Sequence, residues 1–204
     1  MIGIVDYGMG NLGSVANMLK KIGVEAGIIN RPVEVVAYDK LILPGVGSFD
    51  KAMQRINSSG LRDALDHAVQ IQKKRILGIC LGMQLLTRGS EEGSESGLGW
   101  IDAETIKLPS NLDLIIPHMG WNQVFASQYL GKLNRNVSEE SLFYFVHSYY
   151  VKTDRPETVS LTCNYGITFA AALESKNIFG AQFHPEKSHR FGMHFFKNFS
   201  ELIC

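Results

Sequence analysis

In the first half of the chain, short apolar runs alternate with stretches whose apolar residues recur at three- and four-residue intervals. Ile2–Asp6, Val24–Ile29, Lys40–Leu43 and Ile76–Ile79 are runs of the first kind and read as strands. Between them, Asn11–Ile22 sets Leu12, Val15, Met18, Leu19 and Ile22 on one helical face. A second helical stretch runs to about Ile56, and a third covers Leu61–Lys74, with Leu61, Leu65, Ala68, Val69 and Gln72 at helical spacing. Strands separated by helices of this length predict a right-handed, largely parallel sheet covered on both faces.

The pattern changes after the polar, Gly-rich loop Arg88–Gly99. Short strands rich in aromatic and β-branched residues are predicted near Trp100–Leu108, Asn122–Phe125, Phe143–Val151, Thr158–Thr162, Phe169–Leu173 and Ile178–Phe183. A last helix runs from about Arg190 to Leu202, with Met193, Phe196, Phe199 and Ile203 turned inward. No Pro/Ser-rich linker and no repeat divides the chain. The expectation is one α/β domain over residues 1–204: an open, mainly parallel sheet with helices on both faces, extended by antiparallel strands.

Composition narrows the partners. Lys+Arg and Asp+Glu both number 20, so no net charge draws the chain to nucleic acid or anionic membrane. Met1–Asp6 lacks a basic n-region, and no apolar run approaches the ~18 residues of a membrane span. Cys80, Cys163 and Cys204 are few, scattered and odd in number, which gives neither a disulfide framework nor a metal pair and fits a reducing cytoplasm. Cys163 and Cys204 read as structural or incidental.

Four stretches could carry chemistry. Cys80 stands where a strand gives way to a helix, with Gly78 and Gly82 two positions to either side. That is the cysteine form of a nucleophile elbow, in which the glycines permit a sharp turn and leave the thiol exposed at a helix N-terminus. The same segment also accommodates an ordinary buried core thiol. Gly8-Met9-Gly10-Asn11-Leu12-Gly13 is a literal dinucleotide fingerprint. The second strand, however, ends in Asn30-Arg31 where a carboxylate should stand, which leaves a plain anion-friendly turn or, through the arginine, a 2′-phosphate site. Pro44-Gly45-Val46-Gly47 can offer backbone N–H groups to an oxyanion or be a simple turn. Finally, Ile178–Phe183 delivers His184 to a strand end that Pro185 closes, with Glu186 beside it. Cys80, His184 and Glu186 are the parts of a nucleophile–base–acid relay.

The remaining histidines divide. His184, His189 and His194 recur at a spacing that shares no helical face, and no acidic cluster accompanies them, so no metal is expected. His67 reads as a surface residue. His118-Met119-Gly120-Trp121-Asn122 and Tyr144–Tyr150 carry more aromatic and imidazole groups than packing requires and read as half core, half ligand- or partner-facing.

Together these segments resemble the triad glutamine amidotransferases over nearly the whole chain. Cys80 with its glycines and His184-Pro185-Glu186 match the whole family. Pro117-His118-Met119-Gly120-Trp121-Asn122 and Phe145-Val146-His147-Ser148-Tyr149 are narrower and look like the glutaminase subunits of imidazole glycerol phosphate synthase. The resemblance implies Cys80 as nucleophile, His184 as base and Glu186 as orienting acid. It implies Gly47 and Leu81 as oxyanion donors within a site formed by Gly45, Val46, Gly47, Leu81 and Gln84, with Gln84 holding substrate glutamine. It places Asn11, Trp121, Asn122 and Lys187 at or near the interface with a (β/α)₈-barrel cyclase that uses the ammonia in histidine biosynthesis. No cofactor is implied. A related subunit feeding another synthase, such as one amidating a sugar, would carry the same triad. Residues 126–142 match no motif.

Overall fold

The computed structural model describes residues 1–110, 114–129, 131–138 and 140–203; Cys204, expected to be structural or incidental, lies outside them. In chain order the parallel half is β1 (Ile2–Val5), α1 (Leu12–Lys21), β2 (Ala26–Ile29), β3 (Lys40–Gly45), α2 (Phe49–Ser58), α3 (Leu61–Asp66), β4 (Arg75–Cys80) and α4 (Leu81–Leu85). The second half is β5 (Ala103–Lys107), β6 (His118–Ala126), β7 (Leu142–His147), β8 (Tyr149–Thr153), β9 (Val159–Tyr165), β10 (Ile167–Ser175), β11 (Ile178–Ala181) and α5 (His189–Ser200).

Nine strands form one mixed sheet in the order β2-β1-β3-β4-β11-β10-β9-β6-β7. The first five are parallel neighbours, and β10, β9, β6 and β7 extend them antiparallel, as the pattern predicts. Side chains alternate across each inner strand: Leu41 and Leu43 of β3 join Phe49, Met53, Ile56, Leu61 and Leu65 from α2 and α3. On the other face Ile42 packs with Leu77 and Ile79 of β4, Val15 and Leu19 of α1, and Phe195, Phe196 and Phe199 of α5. The sheet is thus a two-sided core rather than a surface.

Several boundaries differ from the periodicity, each for a local reason. The third helix is α-helical only to Asp66; His67–Ile71 widens into a π turn closed by Gln72 N donating to His67 O, and this leaves Gln72 exposed rather than inward. Pro32–Ala37 forms an unforeseen 3₁₀ turn with Pro32 in its first turn. Phe143–Val151 is not one strand. It breaks at Ser148, after which β8 leaves the sheet and pairs with β5 in a separate ribbon. β11 stops at Ala181, so His184 stands beyond a strand that ends early, not at its tip. α5 stops at Ser200; Leu202 is buried past its end, while Ile203 is 86% exposed instead of facing the core. Within residues 126–142, Leu133 is buried, and its carbonyl accepts from Asn198 on α5.

Candidate active site

β3 and β4 run in register so that Gly45 pairs with Cys80, and both strands end there, on the edge where open α/β sheets build sites. Cys80 itself has φ 53° and serves as N-cap of α4. The strain of the turn is therefore carried by the cysteine, not by the flanking glycines. Gly78 and Gly82 are required for a different reason. A Cβ on Gly82 would fall 1.8 Å from the Leu43 carbonyl oxygen, and one on Gly78 would fall 2.5 Å from the Gly82 oxygen. Strand, turn and helix touch backbone to backbone, and only hydrogen fits between them. The thiol is consequently buried at 6% exposure at the foot of a cavity, not exposed as the motif suggests. Its Sγ lies 3.7 Å from the Val146 carbonyl oxygen.

His184 reaches the same cavity from the segment after β11. Its N–H donates to Tyr144 O (2.8 Å), and its own carbonyl accepts from Ser188 Oγ (2.6 Å), which in turn accepts from Tyr144 N (3.1 Å). This clamp to β7 fixes the backbone, and Gly192 lets α5 pass against Pro185, whose oxygen would meet a Cβ at 1.8 Å. His184 Nδ1 is 2.7 Å from Glu186 Oε1, and both side chains are buried. Among the described residues its Nε2 has no hydrogen-bond partner. Burial alone would pull this imidazole below its ordinary pKa, but the adjacent Cys80 sulfur and Glu186 carboxylate outweigh it and push it up to about 10.

The cavity holds about 310 Å³ and is lined by Val46, Gly47, Cys80, Leu81, Gln84, Glu92, Pro117, Val146, His147, Ser148, Tyr149 and His184. Of the residues expected at an oxyanion and substrate site, Val46, Gly47, Leu81 and Gln84 are present. Gly45 is not on the wall; it is buried against the elbow, where a Cβ would meet Gly82 N at 2.7 Å and Leu81 Cβ at 2.9 Å. Gly47 has φ 104° and lies beside the Met9 side chain. Tyr7 donates to the Pro44 carbonyl at 2.7 Å, and burial, reinforced by Cys80, raises its pKa. Glu92, whose carboxylate accepts from Phe49 N at 2.9 Å, escapes a reading of the sequence because it sits in a featureless polar loop. Pro117 and the segment Val146–Tyr149 belong to motifs that stand out only by composition.

The outward residues divide as well. Trp121 is 46% exposed, stacks on His189 (5.2 Å, 1°) and meets the edge of Tyr144, over which Lys187 lies at 5.4 Å. These form one patch beside the His184 segment. Asn11 is exposed and caps α1 through Ser14 N. Asn122 instead faces inward: its amide nitrogen is 3.3 Å from His118 Nε2 and donates to Asn164 O. The fingerprint at 8–13 loses its dinucleotide reading, since Gly13 has open space where close helix–strand packing would need it. Arg55 on α2 instead ties this turn down by donating to Gly8 O. Cys163 is buried far into the sheet, and burial pushes its thiol up to about 12.

Comparison with known proteins gives a consistent answer. The family model described as glutamine amidotransferase class-I matches residues 3–202. A Pseudomonas aeruginosa protein named imidazole glycerol phosphate synthase subunit HisH 2 is 50% identical over 203 residues, covering 100% of both chains. A Methanococcus maripaludis protein of the same name is 51% identical over 199 residues, covering 98% of each. Among solved structures, a putative GMP synthase protein from Thermoplasma acidophilum superposes with TM-score 0.72 at 19% identity, covering 98% of this chain and 91% of that one. PurLQS from Thermotoga maritima gives TM-score 0.74 at 18% identity, covering 97% and 95%. Both structures share the fold.

Proposed function

The chain belongs to the class-I glutamine amidotransferases, and from that premise we propose that Cys80, His184 and Glu186 form its catalytic triad within one glutaminase domain spanning residues 1–204. The observation that carries the reading is convergence. A strained cysteine and a carboxylate-backed histidine, a hundred residues apart in sequence, open on one cavity of glutamine size.

In this reading the Cys80 proton passes to His184 Nε2, leaving a thiolate–imidazolium pair. Sγ attacks the side-chain amide carbon of glutamine, and backbone N–H groups of Gly47 and Leu81 take the oxyanion. His184 returns the proton to the departing nitrogen, ammonia leaves, and a γ-glutamyl thioester remains. His184 then removes a proton from water, the resulting hydroxide displaces sulfur, and glutamate is released with the thiol restored. Glu186 holds the Nδ1 proton in place throughout. Glu92, the carboxylate on the cavity wall, suits the α-ammonium of the substrate, and Gln84 faces the same space. Cys80→Ala should abolish glutamine hydrolysis; an assay of glutamate release that retains activity would overturn the triad.

Ammonia that reaches bulk water is protonated and lost as a nucleophile, so it must be consumed by a neighbouring synthase. The full-length relatives at half identity make that partner the cyclase subunit of imidazole glycerol phosphate synthase, in histidine biosynthesis. The exposed Trp121–Tyr144–Lys187 patch, with Asn11 nearby on the Gly-rich turn, is the surface proposed to meet it, while Asn122 acts from behind that surface. A related subunit serving another synthase, such as one amidating a sugar, would carry the same triad. Ammonia release measured with and without purified cyclase decides between them. Stimulation supports the histidine pathway, whereas no stimulation, with a different synthase co-purifying, supports the alternative.

A further inference from the structure

Gln182 is completely buried directly behind the nucleophile, and the steps above give its amide no part. Its orientation follows from its neighbours. The Tyr149 carbonyl can only accept, and it is 2.8 Å from His147 Nδ1 and 3.0 Å from Gln84 Nε2. The Gln84 amide donates its second proton to Gln182 Oε1 at 3.2 Å. Gln182 therefore turns its nitrogen the other way, and that nitrogen stands 3.8 Å from Cys80 Sγ. Turning the Gln182 amide over would set two NH₂ groups against each other and an oxygen against sulfur.

The same carbonyl fixes a line of histidines. With its proton on Nδ1, His147 must accept at Nε2, where His118 Nδ1 donates at 3.0 Å. His118 Nε2 is then an acceptor, and Asn122 Nδ2 donates to it at 3.3 Å. Stacking of His118 on Phe145 and Tyr165, at 4.8 and 4.0 Å, leaves the ring little freedom. Both rings must be neutral for this order of protons to hold. Burial supplies that, drawing His147 down to about 3, with help from His118 and His184, and His118 to about 4.

The Val146 carbonyl 3.7 Å from Sγ is a partner for the thiol but repels a thiolate, so the Cys80 anion gains from a second donor on the side away from the His184 imidazolium. We propose that Gln182 is that second donor: a catalytic residue whose amide N–H helps the His184 imidazolium hold the Cys80 sulfur as the anion. Gln84, the Tyr149 carbonyl and the His147–His118 pair are positioning groups that keep the amide from turning over. The proposal rests on the reading of Cys80 as nucleophile. The ionisable groups around the sulfur and its cavity are His184 with Glu186, Tyr7 with Arg55 behind it, His147, Tyr149 and Glu92, and none of them changes in the variants below.

The test is the pH dependence of iodoacetamide alkylation at Cys80, located by mass spectrometry in the full chain. Gln182→Met keeps the buried volume without the donor, and Gln182→Asn keeps an amide but withdraws it from sulfur. In each, the alkylation midpoint should rise by about one pH unit, and kcat for glutamine should fall about tenfold with KM little changed. If Gln182→Met fails to fold, Gln182→Asn carries the test. An unshifted midpoint in a folded variant overturns the role of Gln182 and leaves the triad standing. Glutaminase activity surviving Cys80→Ala would remove the triad instead, whatever the alkylation shows.

Discussion

At Gly82 the absence of one methyl group decides whether the elbow can exist. Its φ is ordinary, so the requirement is contact alone: the Cβ of an alanine would sit 1.8 Å from Leu43 O, against a backbone that cannot move aside. Gly82→Ala should cost more than about 3 kcal/mol, visible in a urea titration, with activity lost in parallel. Gly13 is the opposite case. It lies in the first turn of α1 with nothing within 4 Å of its would-be Cβ, so Gly13→Ala should stabilise by roughly 0.5–1 kcal/mol. In the sequence these two glycines look equally motif-bound, one in an elbow and one in a fingerprint. What separates them is distance to a strand forty residues away, which a local pattern does not contain. The same holds for Glu92 and Ser188, whose roles appear only once α2 and β7 are in place. The convergence of Cys80 with His184 and Glu186 is foreshadowed in the sequence because glycine and proline beside them mark strand ends on one edge of the sheet.

Among the elements, α5 links core and site. Phe195, Phe196 and Phe199 fill one face of the sheet, while the helix begins at the residue after Ser188, which clamps His184. Phe196→Ala should lower stability by about 3–5 kcal/mol, since a fully buried ring leaves a cavity the sheet cannot close. Thermal unfolding should fall accordingly, and activity per folded molecule should persist at low temperature. The alternation of apolar runs with helical spacing reveals the parallel half of the sheet, because buried strands there are continuous apolar stretches. It fails at Phe143–Val151, where aromatic and β-branched residues resume directly after His147-Ser148. The break comes instead from the Tyr149 carbonyl, held by His147 and Gln84 across the site. No periodicity records such a tertiary hydrogen bond.

For the whole molecule, the buried histidine pair sets how stability responds to acid. His118 and His147 are held near 4 and 3 when folded but take up protons near their ordinary value of about 6.5 when unfolded. Below that value the unfolded chain binds more protons, so stability must fall as pH falls, by up to about 1.4 kcal/mol per pH unit for each histidine. Denaturant titrations between about pH 6 and 5, where His184 is protonated folded and unfolded alike and adds little, should show this slope, ahead of the carboxylate range. His118→Phe should flatten it by one histidine's share. An unchanged slope would mean that these rings are protonated in the folded state.

The strand order has a consequence for how the chain is made. β11, the last strand in chain order among the described residues, is inserted between β4 and β10 in the middle of the sheet. Until Ile178–Ala181 has left the ribosome, the strand bearing Cys80 has an open edge, and the antiparallel half has nothing to join. Such edges are templates for pairing with other chains. A nascent or truncated protein ending before Ile178 therefore lacks His184 and is also the form most exposed to aggregation. Closing the sheet and bringing His184 beside Cys80 are the same late event.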